Sequence, residues 1–132
     1  MRFESAPDVK QDFEVLVSKL NFSHIDPSRV ICFRSQGSSS NAIARIWSLP
    51  RIWQKALSVK AHYVLEVCSE KYDKLSTEDK TKTLIHEVLH IPKTFSGAVV
   101  NHNAVHFDGK GGFVRKRIDR RTVEKIFAQL NT

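Results

Sequence analysis

The stretch TLIHEVLHIPKTF, residues 83–95, carries two histidines four residues apart, His86 and His90, with Glu87 directly after the first. On an α-helix each residue advances by about 100°, so the two histidines lie about 40° apart on one side of the helix. Two imidazoles placed in this way can bind one zinc ion at about 2.0–2.1 Å and leave positions for a third ligand and a water molecule. The spacing therefore predicts a zinc site that contains His86 and His90.

Glu87 projects next to the two histidines, where a carboxylate can reach a zinc-bound water without coordinating the metal. Zinc lowers the pKa of its water toward about 7, and the carboxylate can take the proton as hydroxide attacks a carbonyl carbon. A helical H-E-x-x-H pattern is thus a peptide-hydrolysis motif, and we predict that Glu87 is the general base. The alternative is that both histidines are buried, hydrogen-bonded residues of an ordinary amphipathic helix, since a pattern this short also occurs by chance.

A catalytic zinc site needs a third protein ligand, and the segment after the motif offers three candidates. Pro92 is predicted to end the helix, and a turn at Gly97 then returns the chain toward the metal. His102 comes first along this return, so we predict that His102 is the third ligand. His106 is the second candidate, with an alternative role as a hydrogen-bond donor or an ordinary strand residue, and Asp108 is a carboxylate alternative.

The motif needs a helix and a sheet to hold it, and the sequence predicts both. Ser76 is a good N-cap for the motif helix, whose apolar residues cover an arc of roughly 160° that faces the core. The stretch AHYVLEVC, residues 61–68, is the clearest strand. Helix and strand alternate along the chain without an internal repeat or a linker, which predicts one α+β domain over residues 1–132. The further elements are helices at 7–20, after Pro50 and at 119–130, and strands at about 30–34 and 42–47.

Length and composition are those of an ordinary globular protein. The chain has 132 residues, 41% of them hydrophobic and 27% charged, which suffices for one core and is too short for two. No apolar run approaches the roughly 20 residues that cross a bilayer, and the charged N-terminus lacks a signal-like apolar segment. We therefore predict a cytoplasmic protein with no membrane partner. Cys32 and Cys68 are predicted to be buried reduced thiols, and Trp47 and Trp53 to be core or cleft-wall aromatics.

The chain is basic, with a net charge of +7, and much of the excess lies in KGGFVRKRIDRRTVEK, residues 110–125. Such a region can neutralise phosphates, but no base-reading pattern accompanies it. We predict at most weak, salt-sensitive nucleic-acid binding without sequence preference, and a solvated basic face is the alternative. The cations of this region that could contact phosphates are Lys110, Arg115, Lys116, Arg117, Arg120 and Arg121.

The segments IWSLPRIWQKAL, HYVLEV and IHEVLHIPKTFSG resemble a zincin-like metallopeptidase family of archaea and phages, over roughly residues 5–107. The resemblance implies a small zinc peptidase in which a twisted sheet packs on an active-site helix, with a cleft between them and helices at both ends of the chain. In zincins the strand before the active-site helix commonly borders the cleft. The resemblance therefore implies that AHYVLEV pairs with an extended peptide or protein substrate.

The sequence excludes one group of zinc peptidases, the metzincins. In that group a glycine lies three residues after the second motif histidine and a further histidine three residues beyond it. Lys93 and Ser96 occupy these positions here, and the only methionine, Met1, cannot form the Met-turn of that group.

Three functions of different classes remain compatible with the sequence. The first is a zinc peptidase acting on an extended segment. The second is a SprT-type protease that works at nucleic acid, with the basic region as its docking surface. The third is a non-catalytic module that zinc stabilises. Glu87 favours catalysis, because a purely structural zinc site has no need of a carboxylate at that place.

Overall fold

The computed structural model describes residues 1–101, 103–107 and 113–130, and it describes the two strands 103–107 and 113–117 by their backbone alone. The strands are β1 (Arg2–Ser5), β2 (Val30–Gln36), β3 (Ala44–Ser48), β4 (Tyr63–Cys68), β5 (Asn103–Phe107) and β6 (Phe113–Arg117). The helices are α1 (Pro7–Lys19), α2 (Arg51–Leu57), α3 (Ser69–Tyr72), α4 (Thr77–Val88) and α5 (Arg120–Leu130), with a short 3₁₀ turn at Pro27–Arg29.

Four of the strands form a mixed sheet in the order β1-β2-β4-β3. β4 lies in the interior, parallel to β2 on one side and antiparallel to β3 on the other. β1 pairs antiparallel with β2, and β5 and β6 form a separate antiparallel pair. A mixed four-stranded sheet with five described helices confirms the predicted α+β class.

The core lies where α1 and α4 pack against the sheet. α1 buries the apolar stripe that its helical spacing predicts, and α4 contributes the apolar residues around the motif. Burial of each such side chain stabilises the fold by about 1.5–3 kcal/mol, so this packing holds α4 in place. The cluster joins the three elements through Val9, Phe13, Leu16, Val17, Leu65, Val67, Leu84, Ile85 and Val88.

Two helix caps lie where the sequence predicts them. The Ser76 hydroxyl accepts the Asp79 backbone N–H at 3.1 Å and begins α4. The Asp119 carboxylate accepts the Thr122 backbone N–H at 2.9 Å before α5. A side-chain acceptor at this position satisfies one of the unpaired N–H groups at a helix start. Both helices therefore begin at the residues that the sequence indicated.

Cys32 lies in β2 and Cys68 ends β4, and both thiols are free and buried, as predicted. In the register of these parallel strands Cys32 is beside Leu65 and Cys68 is beside Ser35. The two cysteines are therefore not paired with each other across β2 and β4. Among the described residues, no helix is both long enough and apolar enough to cross a bilayer.

Candidate active site

The motif helix α4 ends earlier than predicted. Its last residue is Val88, and the Leu89 N–H still bonds four residues back, to the Ile85 carbonyl at 3.1 Å. The two N–H groups after Leu89 bond only three residues back: His90 to the Glu87 carbonyl at 3.1 Å and Ile91 to the Val88 carbonyl at 3.0 Å. Such i−3 bonds tighten the final turn of a helix. Pro92 disfavours helical geometry in the residue before it, Ile91. We attribute the tightened last turn of the helix to this proline. His90 thus lies in a tightened turn, not in the regular helix.

The two histidines nevertheless face each other. The distance between the His86 and His90 Nε2 atoms is 3.4 Å, and the ring planes are inclined by 67°. Two ligands of one tetrahedral ion, each bound at about 2.0–2.1 Å, lie about 3.3–3.4 Å apart. The separation therefore fits two nitrogens that coordinate a single metal ion.

The orientation of the His90 ring follows from its other nitrogen. Its Nδ1 lies 2.5 Å from the Val100 carbonyl oxygen, and the Val100 N–H donates to the His90 carbonyl at 2.8 Å. A carbonyl can only accept, so the Nδ1 atom carries the proton. In the neutral ring the Nε2 lone pair then points toward His86. This is the tautomer that a metal ligand requires.

Glu87 is buried beside the pair, with 7% of its surface exposed. Burial raises the pKa of its carboxyl to about 8. A cation bound at the neighbouring histidines favours the carboxylate and acts in the opposite direction. The site thus places a buried carboxyl group beside two imidazole nitrogens, a combination that could take a proton from water next to a metal.

These three residues open into a cleft of about 1010 Å³ between β3 and the helices α4 and α5. Its β3 side consists of residues 41–47, and its far wall includes Val123 and Glu124 of α5. Most of its lining area is apolar, and charged side chains such as Asp79 and Lys82 also line it. The apolar lining residues are Ala42, Ile43, Ala44, Ile46, Trp47, Leu75, Val99 and Val123.

The strand that borders this cleft is β3, so the assignment of AHYVLEV as the substrate strand is wrong. β4 is hydrogen-bonded on both sides and has no unpaired edge to offer a substrate. At the two ends of the β3–β4 ladder, the Ile43 carbonyl accepts the Cys68 N–H of β4 and the Leu49 N–H donates to the carbonyl of His62, directly before β4. In an antiparallel pair such residues alternate, so the backbone groups of Ala44 and Ile46 point away from β4. Among the described strands, β3 is the cleft-side edge.

A family model described as "Putative phage metallopeptidase" matches residues 1–131. The chain belongs to this family. No curated protein and no solved structure matches it. Membership in a metallopeptidase family implies a metal cofactor and a hydrolase class, and it agrees with the family that the sequence motifs indicated.

His102, the predicted third ligand, lies outside the described residues, as does Asp108. His106 lies in the middle of β5, where its backbone pairs with Val114 of β6. Within the described part of the chain no group of three ligating side chains comes together. The choice between His102 and His106 therefore stays a prediction.

The loop after the motif is fastened by Tyr63 and Gln54, which sequence reasoning did not single out. The Tyr63 hydroxyl donates to the Ala98 carbonyl at 2.7 Å and accepts the Gly97 N–H at 2.9 Å. The Gln54 amide donates to the Leu49 and Ser96 carbonyls at 2.8 and 3.0 Å. Three of these bonds hold residues 96–98, directly before Val100, whose carbonyl orients the His90 ring.

Gly97 is required at this place. Its φ is +94°, a conformation that favours glycine, and a Cβ atom there would lie 2.6 Å from the Leu49 carbonyl oxygen. The glycine that follows Ser96 is therefore explained by the packing of this loop against Leu49. The signal was present in the sequence, but its partners Leu49, Gln54 and Tyr63 lie more than thirty positions away.

Tyr63→Phe is expected to weaken metal binding by up to about tenfold, the lower end of the effect of losing a direct partner of a ligand, because Tyr63 acts on His90 only through residues 97–100. Without the hydroxyl, Gly97 and Ala98 lose their partners and the Val100 carbonyl is held less firmly. The measurement is a competition titration of the metal against a chelator of known affinity. Tyr72→Phe is the matched control, since the buried Tyr72 hydroxyl has no hydrogen-bond partner among the described residues. Equal affinities of the two variants would contradict this role of Tyr63.

Proposed function

We propose that this chain is a zinc-dependent peptidase with a zincin-like active site that hydrolyses peptide bonds in an extended segment of peptide or protein. The observation that carries the proposal is the 3.4 Å separation of the His86 and His90 Nε2 atoms, with a buried Glu87 beside them and a cleft in front. Two histidines that serve only the packing of the core need not place their Nε2 atoms side by side at a cleft.

In this proposal His86, His90 and His102 hold the zinc ion, and Glu87 does not. A bound zinc ion supplies a Lewis acid that polarises the substrate carbonyl and makes water acidic at neutral pH. The Glu87 carboxylate accepts the proton of the attacking water and then delivers it to the leaving amine nitrogen. Its burial makes it a stronger base than an exposed carboxylate.

The cleft suits a substrate in extended conformation. The outward backbone groups of Ala44 and Ile46 can pair with a substrate backbone as an added strand, a common mode of peptide recognition. Every second side chain of the bound substrate would then contact the apolar lining of the cleft, formed by residues such as Val99 and Val123. We infer that unfolded or loop segments with apolar side chains are the substrate class.

One experiment tests this function: metal content and cleavage measured on the same preparation. Purified from metal-supplemented medium, the protein is expected to carry about one zinc ion per chain and to cleave an unstructured protein. A chelator should remove both properties, and added zinc should restore both. Absence of stoichiometric transition metal would favour buried core histidines instead.

The same assay also tests the other two functions. Stoichiometric zinc without cleavage would favour the non-catalytic module. Cleavage that DNA stimulates would favour the SprT-type protease, with residues 110–125 as its weak, salt-sensitive docking region. Of that region Arg120 contributes to the cleft and Arg121 is exposed. The assay therefore needs an arm with DNA at two salt concentrations.

A further inference from the structure

Helix α2 leaves an unusual amount of apolar surface in water. The exposed fractions are 77% for Ile52, 56% for Trp53 and 57% for Leu57 in the helix, and 42% for Val59 just after its end. Trp53 was predicted to be a core or cleft-wall residue, and this is wrong, whereas Trp47 does line the cleft. Single exposed apolar residues are common, but four of them within residues 52–59 indicate an interaction surface.

The helix is oriented so that this group points outward. Of residues 51–60, every one is exposed except Gln54, whose amide is hydrogen-bonded to the Leu49 and Ser96 carbonyls. At 100° per residue, Ile52, Trp53 and Leu57 fall within an arc of about 140°, and Gln54 lies outside that arc. Gln54 therefore attaches α2 to the protein while the apolar stripe faces solvent.

The border of the stripe is cationic. Arg51 and Lys55 follow one flank of the helix, and Lys60 comes directly after Val59. No acidic residue occurs anywhere between Asp26 and Glu66. Among the described residues, none of these three cations forms an ion pair. The partner of this surface therefore has to be anionic and has to accept apolar side chains.

An anionic lipid surface meets both requirements. Phospholipid head groups pair with Lys and Arg, the acyl boundary accepts aliphatic side chains, and the indole of Trp53 suits the interface between them. Nucleic acid offers phosphates but no place to bury Ile52 and Leu57. A second copy of the chain would bring three cations against three cations, which like-charge repulsion opposes.

We propose that α2, together with Val59 and Lys60, is a docking surface for anionic phospholipid bilayers, on which the protein lies peripherally. The proposal is independent of the peptidase function. The prediction of no membrane partner rested on the lack of a spanning segment, and a segment of that kind is not needed for surface binding.

Co-sedimentation of the full chain with vesicles tests the proposal. The protein is expected to bind vesicles that contain phosphatidylserine, to bind pure phosphatidylcholine vesicles far less, and to dissociate as salt is raised. The double substitution Ile52→Ser and Trp53→Ser should weaken binding by about tenfold or more, because it removes the two leading apolar side chains. Val15→Ser is the control, because Val15 is an apolar residue that is 47% exposed but belongs to α1 and not to α2.

Tryptophan fluorescence gives a second readout that does not depend on how the double variant folds. Trp47→Phe leaves Trp53 as the only tryptophan of the chain. Its emission is expected to shift to the blue on addition of phosphatidylserine vesicles, because the indole leaves water. An unshifted emission would overturn the proposal.

Three further results would also overturn it. The first is no binding to phosphatidylserine vesicles. The second is equal binding by wild type and the Ile52, Trp53 double variant, which would assign vesicle binding to the general charge of +7. The third is a loss of self-association or of nucleic-acid binding in the double variant without vesicle binding by wild type, which would assign the surface to that other partner.

Discussion

Glu87→Gln is expected to abolish peptide cleavage while the protein keeps its fold and its bound zinc. The amide has nearly the same shape as the carboxylate but cannot accept a proton from water. General base catalysis contributes about 10²–10⁴-fold, so kcat should fall by at least that range. Glu87 is buried, and burial disfavours its charged form, so a neutral amide fits the same environment without a large loss of stability.

The matched control for this variant is Glu78→Gln. Glu78 lies in the first turn of the same helix, with an exposed side chain that is 3.9 Å from Lys82. Exposed ion pairs contribute little, so this variant should retain full activity. The measurements are kcat on an unstructured protein, zinc content by elemental analysis and the melting temperature. A Glu87→Gln protein as active as wild type would remove Glu87 from the mechanism.

The helix positions were predictable because local signals agree with the packing. α1 has its apolar residues at helical spacing, and Ser76 and Asp119 supply acceptors at the starts of α4 and α5. These features act within a few residues of each other. Local interactions of this kind are legible in a sequence.

Strand order was not predictable in the same way, and the wrong substrate strand shows why. A strand pattern predicts extended backbone but not the neighbours of that backbone. β4 is almost continuously buried from Tyr63 to Cys68, which is typical of an interior strand with both faces covered. That signal could have argued against an edge position. β1 gave no signal at all, since its four residues are all exposed.

The surroundings of His90 depend on contacts between distant parts of the chain. Tyr63 reaches Ala98 across 35 positions, and Gln54 reaches Ser96 across 42. The hydrogen-bonded pair of His90 and Val100 spans ten positions in an irregular loop. The hydrophobic periodicity of a sequence does not reveal contacts between residues this far apart. That His86, Glu87 and His90 lie together at one cleft could therefore be predicted from their helical spacing, but the orientation of the His90 ring could not.

His86→Ala and His90→Ala are each expected to weaken zinc binding by more than about 100-fold, beyond the range seen when only an orienting group is removed. Each variant leaves one of the two nitrogens that lie 3.4 Å apart, and one helix nitrogen cannot hold the ion in place. His90→Ala should also lower the free energy of unfolding, because the Val100 carbonyl loses its donor. Zinc titration and urea unfolding measure the two effects separately.

The same titration decides the third ligand. His102→Ala is expected to match the loss in His86→Ala, and His106→Ala to retain most of the affinity, because His102 comes first after the loop that Tyr63 fastens. His24→Ala is the control for a histidine away from the cleft, since its ring packs against Phe22 at 5.5 Å. If His106→Ala loses the metal and His102→Ala keeps it, the assignment of His102 is wrong. The ligand would then come from the middle of β5.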